Sequence, residues 1–221
     1  DKQGVPYGPG FEKNHVELPR KIIAAMTSNH LQRYIHMSAL GADVAGCSMY
    51  QRSKGAGETL VKNSSLNWTI FRPSVIFGED DSFINLFGTL QKFAPVMPLA
   101  GSSAKFQPVY VGDVAEAFVR SINMTQTIGR TYDLVGSKVY TLAELVKFAG
   151  AKVNKSSWIV PIPRVLGYLQ AFMLELMPGP TLMSRDNLAS MQQDNVLPLG
   201  AENALEKTFG ITPQPLEVLL K

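Results

Sequence analysis

Residues 33–54 read RYIHMSALGADVAGCSMYQRSK, and this stretch decides the fold. Arg33–Ser38 is a short run with β-branched and aromatic residues, which predicts a strand that ends on a serine and enters a loop. Ser48 and Gln51 have the Ser-x-x-Gln form of a capping box, which predicts that a helix begins at Ser48. A strand, a loop and a capped helix in this order indicate one βα unit of a parallel sheet.

The alternation of strands and helices continues on both sides of this unit. The predicted strands are Trp68–Arg72, Lys105–Val111 and Thr131–Val135, and the predicted helices are Asn14–Ser28 with Asn14 as its cap, 82–93, 113–121 and one from Thr141. Pro108 favours an edge position or a bulge for the middle strand, because proline cannot donate a ladder hydrogen bond. The pattern predicts an α/β fold over residues 1–150 and a small, Pro-rich, mostly helical lobe over residues 151–221.

Composition excludes several classes of function. The chain has 221 residues and a formal net charge of +3, and its longest run of bases is the pair Arg20-Lys21, so a nucleic-acid-binding surface is not indicated. A single cysteine, Cys47, and three histidines give no support to a disulfide framework or a metal site. The sequence contains no apolar run near the roughly 20 residues that cross a bilayer, and a reducing, cytoplasmic setting is expected.

Tyr50 and Lys54 form Tyr-x-x-x-Lys on the predicted helix, where this spacing places both side chains on one face. Ligands of open α/β sheets bind beyond the carboxyl ends of the strands, where Ser38 is predicted to lie. A phenol is a poor base at neutral pH unless a nearby ammonium or the helix dipole stabilises its anion. Ser38 could then hold a substrate oxygen while Tyr50 exchanges a proton with it. Tyr-x-x-x-Lys alone is common by chance, and only its context favours catalysis.

Four motifs together resemble the NAD-dependent epimerase/dehydratase group of extended and atypical short-chain dehydrogenases. They are Met37-Ser-Ala-Leu-Gly41, Tyr50-Gln-Arg-Ser-Lys54-Gly-Ala-Gly-Glu58, Trp68-Thr-Ile-Phe-Arg72-Pro-Ser-Val-Ile-Phe-Gly78 and Val109-Tyr-Val-Gly-Asp113-Val-Ala. The branch it resembles most contains bacterial relatives of the dehydrogenase-like accessory subunit of respiratory complex I. The resemblance implies a Rossmann-like, doubly wound parallel sheet.

The resemblance also implies site residues and a cofactor. Ser38, Tyr50 and Lys54 are expected to be catalytic, and the cofactor, NAD or NADP, is expected against Tyr50, Lys54, Pro73, Ser74 and Val75. Lys54 would reach the nicotinamide ribose. Asn14 has two interpretations, a helix start near the cofactor or a simple cap.

Two departures from the family pattern qualify these expectations. Gly4, Gly8 and Gly10 lie in a Pro-rich loop with no strand before them and no helix predicted directly after, which is the wrong context for a phosphate-binding turn. We therefore expect a fragment that lacks the first strands and binds NAD(P) weakly, with a free sheet edge through which it could self-associate. Phe106, beside Lys105, stands where nucleotide-sugar enzymes tend to carry an arginine, which argues against a nucleotide-sugar substrate.

Residues 163–177 carry a broad, Met-rich apolar stripe at helical spacing. The stripe predicts a helix packed on the main domain or a lid over a small-molecule substrate, and a lipophilic substrate or a membrane contact is the alternative. Two functions remain open: an NAD(P)-dependent oxidoreductase or epimerase-like enzyme, and a non-catalytic dinucleotide-binding subunit or assembly factor. The complete Ser38, Tyr50 and Lys54 set favours the enzyme.

Overall fold

The computed structural model describes residues 4–176 and 183–220. The strands are β1 (Arg33–Met37), β2 (Asn67–Pro73), β3 (Ile76–Phe77), β4 (Val96–Ala100), β5 (Lys105–Phe106), β6 (Val109–Tyr110), β7 (Arg130–Leu134), β8 (Tyr140–Thr141) and β9 (Trp158–Ile162). The helices are α1 (Pro9–Phe11), α2 (Leu18–Ser28), α3 (Met49–Lys62), α4 (Ser82–Gln91), α5 (Val111–Ile122), α6 (Leu142–Lys152), α7 (Arg164–Glu175), α8 (Arg185–Ser190) and α9 (Ala204–Lys207). A π-helical turn spans Glu12–Glu17, and 3-10 turns span Thr125–Thr127 and Leu216–Leu220.

The central sheet is parallel and has the order β1-β2-β7. Ile70 and Phe71 of the middle strand are fully buried, because helices cover both faces of a parallel sheet. Three strands predicted from the sequence form this sheet, and the predicted α/β class is confirmed. The carboxyl ends of its strands lie at one edge, where the loop that begins at Ser38 leaves the sheet.

The predicted single strand Lys105–Val111 is wrong. The extended segment is interrupted at Pro108 and forms two short strands, β5 and β6. Strand β5 pairs antiparallel with β8, and β6 pairs parallel with β3. Helix α5 already begins at Val111. Pro108 has no N–H to offer a ladder, which accounts for the interruption. The two halves join different two-stranded sheets, so Pro108 lies between two short strands and not in a bulge of one strand.

The strand pair β4 and β9 has no counterpart in the sequence prediction. Each strand contains a proline, and Pro98 lies opposite Val160 while Pro161 lies opposite Leu99. Prolines argue against strands in general but are tolerated where one side of a strand is unpaired, as in a two-stranded sheet.

The amino-terminal helix begins earlier than predicted. Helical backbone runs without interruption from Pro9 to Ser28 through the π-helical turn. Gly8 caps this helix and Gly10 lies in its first turn, so the expectation of no helix directly after these glycines is wrong. Asn14 is therefore not a cap, and its side-chain amide donates to the Gly10 carbonyl at 2.9 Å. The π-helical turn shifts the hydrogen-bond pattern just before Pro19, which lacks an N–H, and this explains how a proline is accommodated well inside the helix.

Helix α7 does not pack through the apolar stripe that the sequence predicts. Its small residues Gly167 and Ala171 are buried, and Gly167 comes so close to Ala100 of β4 that an added Cβ would clash with it. The stripe residues Val165, Leu166, Leu169, Phe172, Met173 and Leu176 remain exposed. Packing of the stripe on the main domain is therefore wrong, and Met177 of the stripe lies outside the described residues. Among the described residues, no helix is long and apolar enough to span a bilayer.

Candidate active site

The start of α3 is fixed by two independent sets of hydrogen bonds. The Ser48 hydroxyl accepts from the Gln51 N–H, and the Gln51 side chain accepts from the Ser48 N–H, which is the capping box that the sequence predicts. The Asp186 carboxylate of α8 accepts from the backbone N–H groups of Met49 and Tyr50 at 2.7 and 3.1 Å. Tyr50 therefore sits in the first turn, held by a residue from the carboxyl-terminal part of the chain.

A cavity of about 310 Å³ opens beyond the carboxyl ends of β1 and β2. Its lining includes every residue predicted for the site, namely Ser38, Tyr50, Lys54, Pro73, Ser74 and Val75. Asn195 completes the wall, and its side chain bonds both Ser74 and the Leu40 carbonyl. The structure thus brings together predicted site residues that lie up to 37 positions apart in the sequence. We call this space the serine–tyrosine cavity.

Ser38 carries a buried polar atom without a partner. The residue is 3% exposed, and among the described residues its Oγ makes no hydrogen bond. The Ser38 hydroxyl acts to lower the pKa of the nearby Glu58 carboxylate, but the geometry between the two groups does not amount to a hydrogen bond. An unpaired hydroxyl costs free energy in an interior and calls for an explanation, and Ser38 is a residue of the cavity wall, so a ligand oxygen in the cavity is a candidate partner.

Lys54 and Tyr50 are close but are not hydrogen-bonded. The Lys54 Nζ lies 5.9 Å from the centre of the Tyr50 ring and donates to the Met37 carbonyl at 3.4 Å. Burial raises the pKa of Tyr50. Burial also lowers the pKa of Lys54, against the influence of Glu58. The expectation that Lys54 and the helix dipole lower the pKa of this phenol is wrong, because burial raises it.

Beneath the cavity lies an ion-pair cluster around Glu58. This carboxylate is 2% exposed and receives two hydrogen bonds from Arg72, both at 2.7 Å, and one from Lys62 at 2.9 Å. Burial works to raise the pKa of Glu58, but the hydrogen bonds from Arg72 and its neighbours outweigh burial and lower it. The cluster fixes α3 against β2, and thus Tyr50 against Pro73.

His15 contacts Tyr50, although it is not among the residues predicted for the site. It lies within the π-helical turn, its Nδ1 is 2.8 Å from the Ser53 Oγ, and its ring meets the Tyr50 ring edge to face at 5.5 Å. Burial, aided by Lys54 and His36, lowers the pKa of His15 to about 4, so the imidazole is neutral at neutral pH. A π-helical turn is a frequent feature of functional sites but has no recognised sequence signal here.

A second, larger cavity of about 460 Å³ shares Tyr50 and Asn195 with the first. Phe106 lines it and is 8% exposed, whereas the side chain of the neighbouring Lys105 is exposed. We call this space the aromatic cavity. Its position next to Tyr50 is suited to a substrate.

The fold and site define a dinucleotide-binding α/β protein with a serine, tyrosine and lysine at the carboxyl edge of a parallel sheet. The chain belongs to the NAD(P)H-binding family, whose model matches residues 8–123. It is 30% identical over 210 residues to the mouse mitochondrial NADH dehydrogenase [ubiquinone] 1 alpha subcomplex subunit 9, covering 94% of this chain and 55% of that protein. The Arabidopsis thaliana protein of the same name is 30% identical over 217 residues, covering 93% and 53%.

Solved structures agree on the fold. A nucleoside-diphosphate-sugar epimerase from Staphylococcus aureus superposes with a TM-score of 0.72 at 15% identity, covering all of this chain and 75% of that one. An NADPH-dependent quinone oxidoreductase from Escherichia coli, solved with NADPH, gives 0.71 at 17% identity, covering 91% and 69%. The chain spans about half the length of the curated relatives it matches.

The residues present fit one end of a nicotinamide dinucleotide. The unpartnered Ser38 hydroxyl and the cavity it shares with Tyr50 and Lys54 suit the nicotinamide and its ribose. Within residues 4–176 and 183–220, no strand leads through a Gly-x-x-Gly-x-x-Gly turn into a helix, so this part of the chain offers no such cradle for the pyrophosphate.

Proposed function

We propose that this chain carries the catalytic side of an NAD(P)-dependent oxidoreductase or epimerase-like protein that acts on a small carbonyl or alcohol substrate. The observation that carries the proposal is the orphaned Ser38 hydroxyl in a cavity shared with Tyr50 and Lys54. When bound, NAD(P) supplies hydride exchange at its nicotinamide ring. All other roles fall to side chains of this chain.

Lys54 and the Pro73–Val75 segment are the groups proposed to hold the nicotinamide ribose and ring. Within residues 4–176 and 183–220, Lys54 Nζ makes one long hydrogen bond, to the Met37 carbonyl, and so retains donors for a ribose hydroxyl. The Ser74 side chain is already engaged with Asn195, which leaves backbone groups of this segment to face the cofactor. Asn195 thereby keeps the segment in place.

Ser38 and Tyr50 are proposed to act on the substrate oxygen. The Ser38 hydroxyl donates a hydrogen bond to it, which satisfies the orphaned atom and polarises the carbonyl. The Tyr50 phenol is protonated at neutral pH, as phenols ordinarily are, and burial raises its pKa further. In the proposed reaction it gives this proton to the developing alkoxide, which is a much stronger base than a phenolate. We propose the reaction in the direction of carbonyl reduction, for which a protonated Tyr50 is the form required.

The second candidate is a non-catalytic dinucleotide-binding subunit or assembly factor. It is favoured by the names of the relatives from mouse and Arabidopsis thaliana, which are subunits of an NADH dehydrogenase. It is also favoured by the exposed apolar stripe of α7, which a partner or a lipophilic molecule could cover. The enzyme remains the first choice, because a scaffold has no use for an unpaired buried serine beside a tyrosine and a lysine.

Turnover and binding assays separate the two candidates. The protein is incubated with a panel of ketones and with NADH, NADPH or reduced nicotinamide mononucleotide, and cofactor oxidation is followed by absorbance. The mononucleotide is included because the described site fits the nicotinamide end. Ketone-dependent oxidation supports the enzyme, whereas binding of the cofactors in calorimetry without turnover on any ketone would favour the subunit.

Three further expectations are retained as part of this proposal. The division into a sheet domain (1–150) and a substrate lobe (151–221), and a cytoplasmic location, remain predictions. Self-association is proposed through the free edge of β1, which pairs only with β2 in the described part of the chain. Sedimentation equilibrium tests it, and a concentration-independent monomer mass would contradict it.

A further inference from the structure

The aromatic cavity combines ring-bearing walls with a particular charge pattern. Phe83 and Phe106 form one aromatic pair at 6.2 Å between ring centres, and Phe11 and Tyr50 form another at 6.3 Å. All four rings line the cavity. Aromatic walls favour a ligand that itself contains a ring, since stacked and edge-on contacts add to simple burial.

The charged groups of this cavity are all acidic. Asp186 and Asp194 line it, and among the described lining residues there is no lysine, arginine or histidine. Asp186 is engaged with the start of α3, and Asp194 accepts from the Lys105 N–H at 3.0 Å. These carboxylates are therefore fixed in place and repel a second anion that enters the cavity.

The remaining polar groups of the wall are neutral. They include the side-chain amides of Gln51, Asn187, Gln193 and Asn195, which can donate to a carbonyl oxygen without supplying a countercharge. Phosphate and carboxylate groups are recognised by arginine forks, and among the described lining residues the cavity offers none, with the apolar Phe106 as part of its buried wall.

From these features we infer that the aromatic cavity accepts an uncharged, ring-bearing carbonyl compound and rejects phosphorylated or carboxylated ones. This inference rests on the proposed function, since it identifies the cavity beside Tyr50 as the place of the substrate. It extends that function by assigning the substrate class from the wall chemistry. A ligand in this cavity lies next to Tyr50, the proposed proton donor.

The test compares two ketones that differ by one para-carboxylate group, acetophenone and para-acetylbenzoate, with UDP-glucose as a phosphate-bearing probe. Binding to the whole chain without cofactor is measured by ligand-observed NMR titration. Acetophenone is expected to bind at least about tenfold more tightly than para-acetylbenzoate, because the cavity offers the carboxylate no countercharge. UDP-glucose is expected to give no saturable binding.

Two variants place a cation in the cavity. Gln193→Arg changes an exposed residue at the rim, and Phe106→Arg changes the buried wall, so the first remains informative if the second fails to fold. Each is expected to reduce the preference for acetophenone about tenfold or to reverse it. Phe93→Arg is the matched control, because Phe93 is 84% exposed and lies outside the cavity lining. It should leave the preference unchanged.

Three results would overturn the inference: undetectable acetophenone binding by the folded protein, equal or tighter binding of para-acetylbenzoate, or the same shift in Phe93→Arg as in Gln193→Arg. The assay needs no turnover, so it separates this inference from the proposed function. A protein that binds acetophenone selectively but reduces no ketone would retain the substrate class and lose the catalytic role.

Discussion

Ser38→Ala should leave the protein as stable as the wild type or more stable, which is unusual for a buried polar residue. The Ser38 Oγ is buried and makes no hydrogen bond, so the folded state bears a desolvation cost of about 1–3 kcal/mol that the substitution removes. The Ser38 hydroxyl also favours the ionised form of Glu58 and makes van der Waals contacts, and the loss of both offsets part of the gain in stability. The expected change in the free energy of unfolding is between 0 and about +1 kcal/mol.

Ser74→Ala is the matched comparison, because Ser74 lines the same cavity and is 4% exposed, but its hydroxyl is hydrogen-bonded. Its hydroxyl donates to the Asn195 Oδ1 at 2.6 Å and lies 3.2 Å from the Asn195 carbonyl oxygen. Removing it should lower the free energy of unfolding by about 1–2 kcal/mol. The two alanine variants should therefore differ by roughly 2 kcal/mol, in favour of Ser38→Ala.

Urea unfolding followed by circular dichroism measures both values, and turnover is assayed in parallel. Ser38→Ala should lose at least about 100-fold in ketone reduction while it retains its stability, because its hydroxyl serves the substrate and not the fold. A Ser38→Ala protein that unfolds more readily than Ser74→Ala would refute the reasoning. That result would mean that the hydroxyl is hydrogen-bonded within the folded protein.

Three other outcomes are expected. Burial, aided by Lys54 and opposed by Glu58, lowers the pKa of His36 from 6.5 to about 4, so the unfolded chain takes up a proton first as the pH falls and stability is lost between these values. From about pH 7 to about pH 5 this residue contributes a loss of about 2 kcal/mol by urea titration, and His15, whose pKa is also lowered to about 4, adds to the loss in the same range. His36→Asn should therefore lose about 2 kcal/mol less than the wild type over this range, whereas the exposed His30→Asn should lose as much as the wild type; an equal loss in His36→Asn and the wild type would contradict this assignment. Gly57→Ala should cost at least about 2 kcal/mol of unfolding free energy, since its Cβ would lie 2.2 Å from the His15 carbonyl oxygen, and a wild-type urea midpoint would contradict this contact. Asp186→Ala should cost about 1–2 kcal/mol and Asp186→Asn less, because the carboxylate accepts two backbone hydrogen bonds at the start of α3; equal stability of both variants and the wild type would show that this link contributes nothing.

Local signals made the centre of the fold predictable. The strand that ends at Met37 and the capping box at Ser48 depend on residues within a few positions of each other, and both were found as predicted. The position of Ser38, Tyr50 and Lys54 around one cavity follows from that unit, because strand ends of a parallel sheet share one edge.

Long-range features were not predictable from one sequence. Asp186 reaches the start of α3 across 137 positions, and Asn195 reaches Ser74 across 121, and neither contact leaves a local pattern. The π-helical turn that places His15 against Tyr50 resembles an ordinary helix in its spacing. The strands β4 and β9 were missed because their prolines resemble those of loops, although tertiary pairing overrides that preference.

The exposed stripe of α7 illustrates a different limit. Helical periodicity identified the apolar face but could not tell which face packs. Gly167 and Ala171 allow the helix to approach β4 closely, so α7 packs through the face that carries these small residues.

The rate of ketone reduction by Tyr50→Phe tests the central claim most directly, with Tyr168→Phe, which lies on α7 and outside the two described cavities, as its control. Phenylalanine retains the ring contacts with His15 and removes only the proton that the substrate oxygen is proposed to receive. The account predicts a loss of at least about 100-fold in kcat for Tyr50→Phe and none for Tyr168→Phe. Reduction at the wild-type rate by Tyr50→Phe would contradict it.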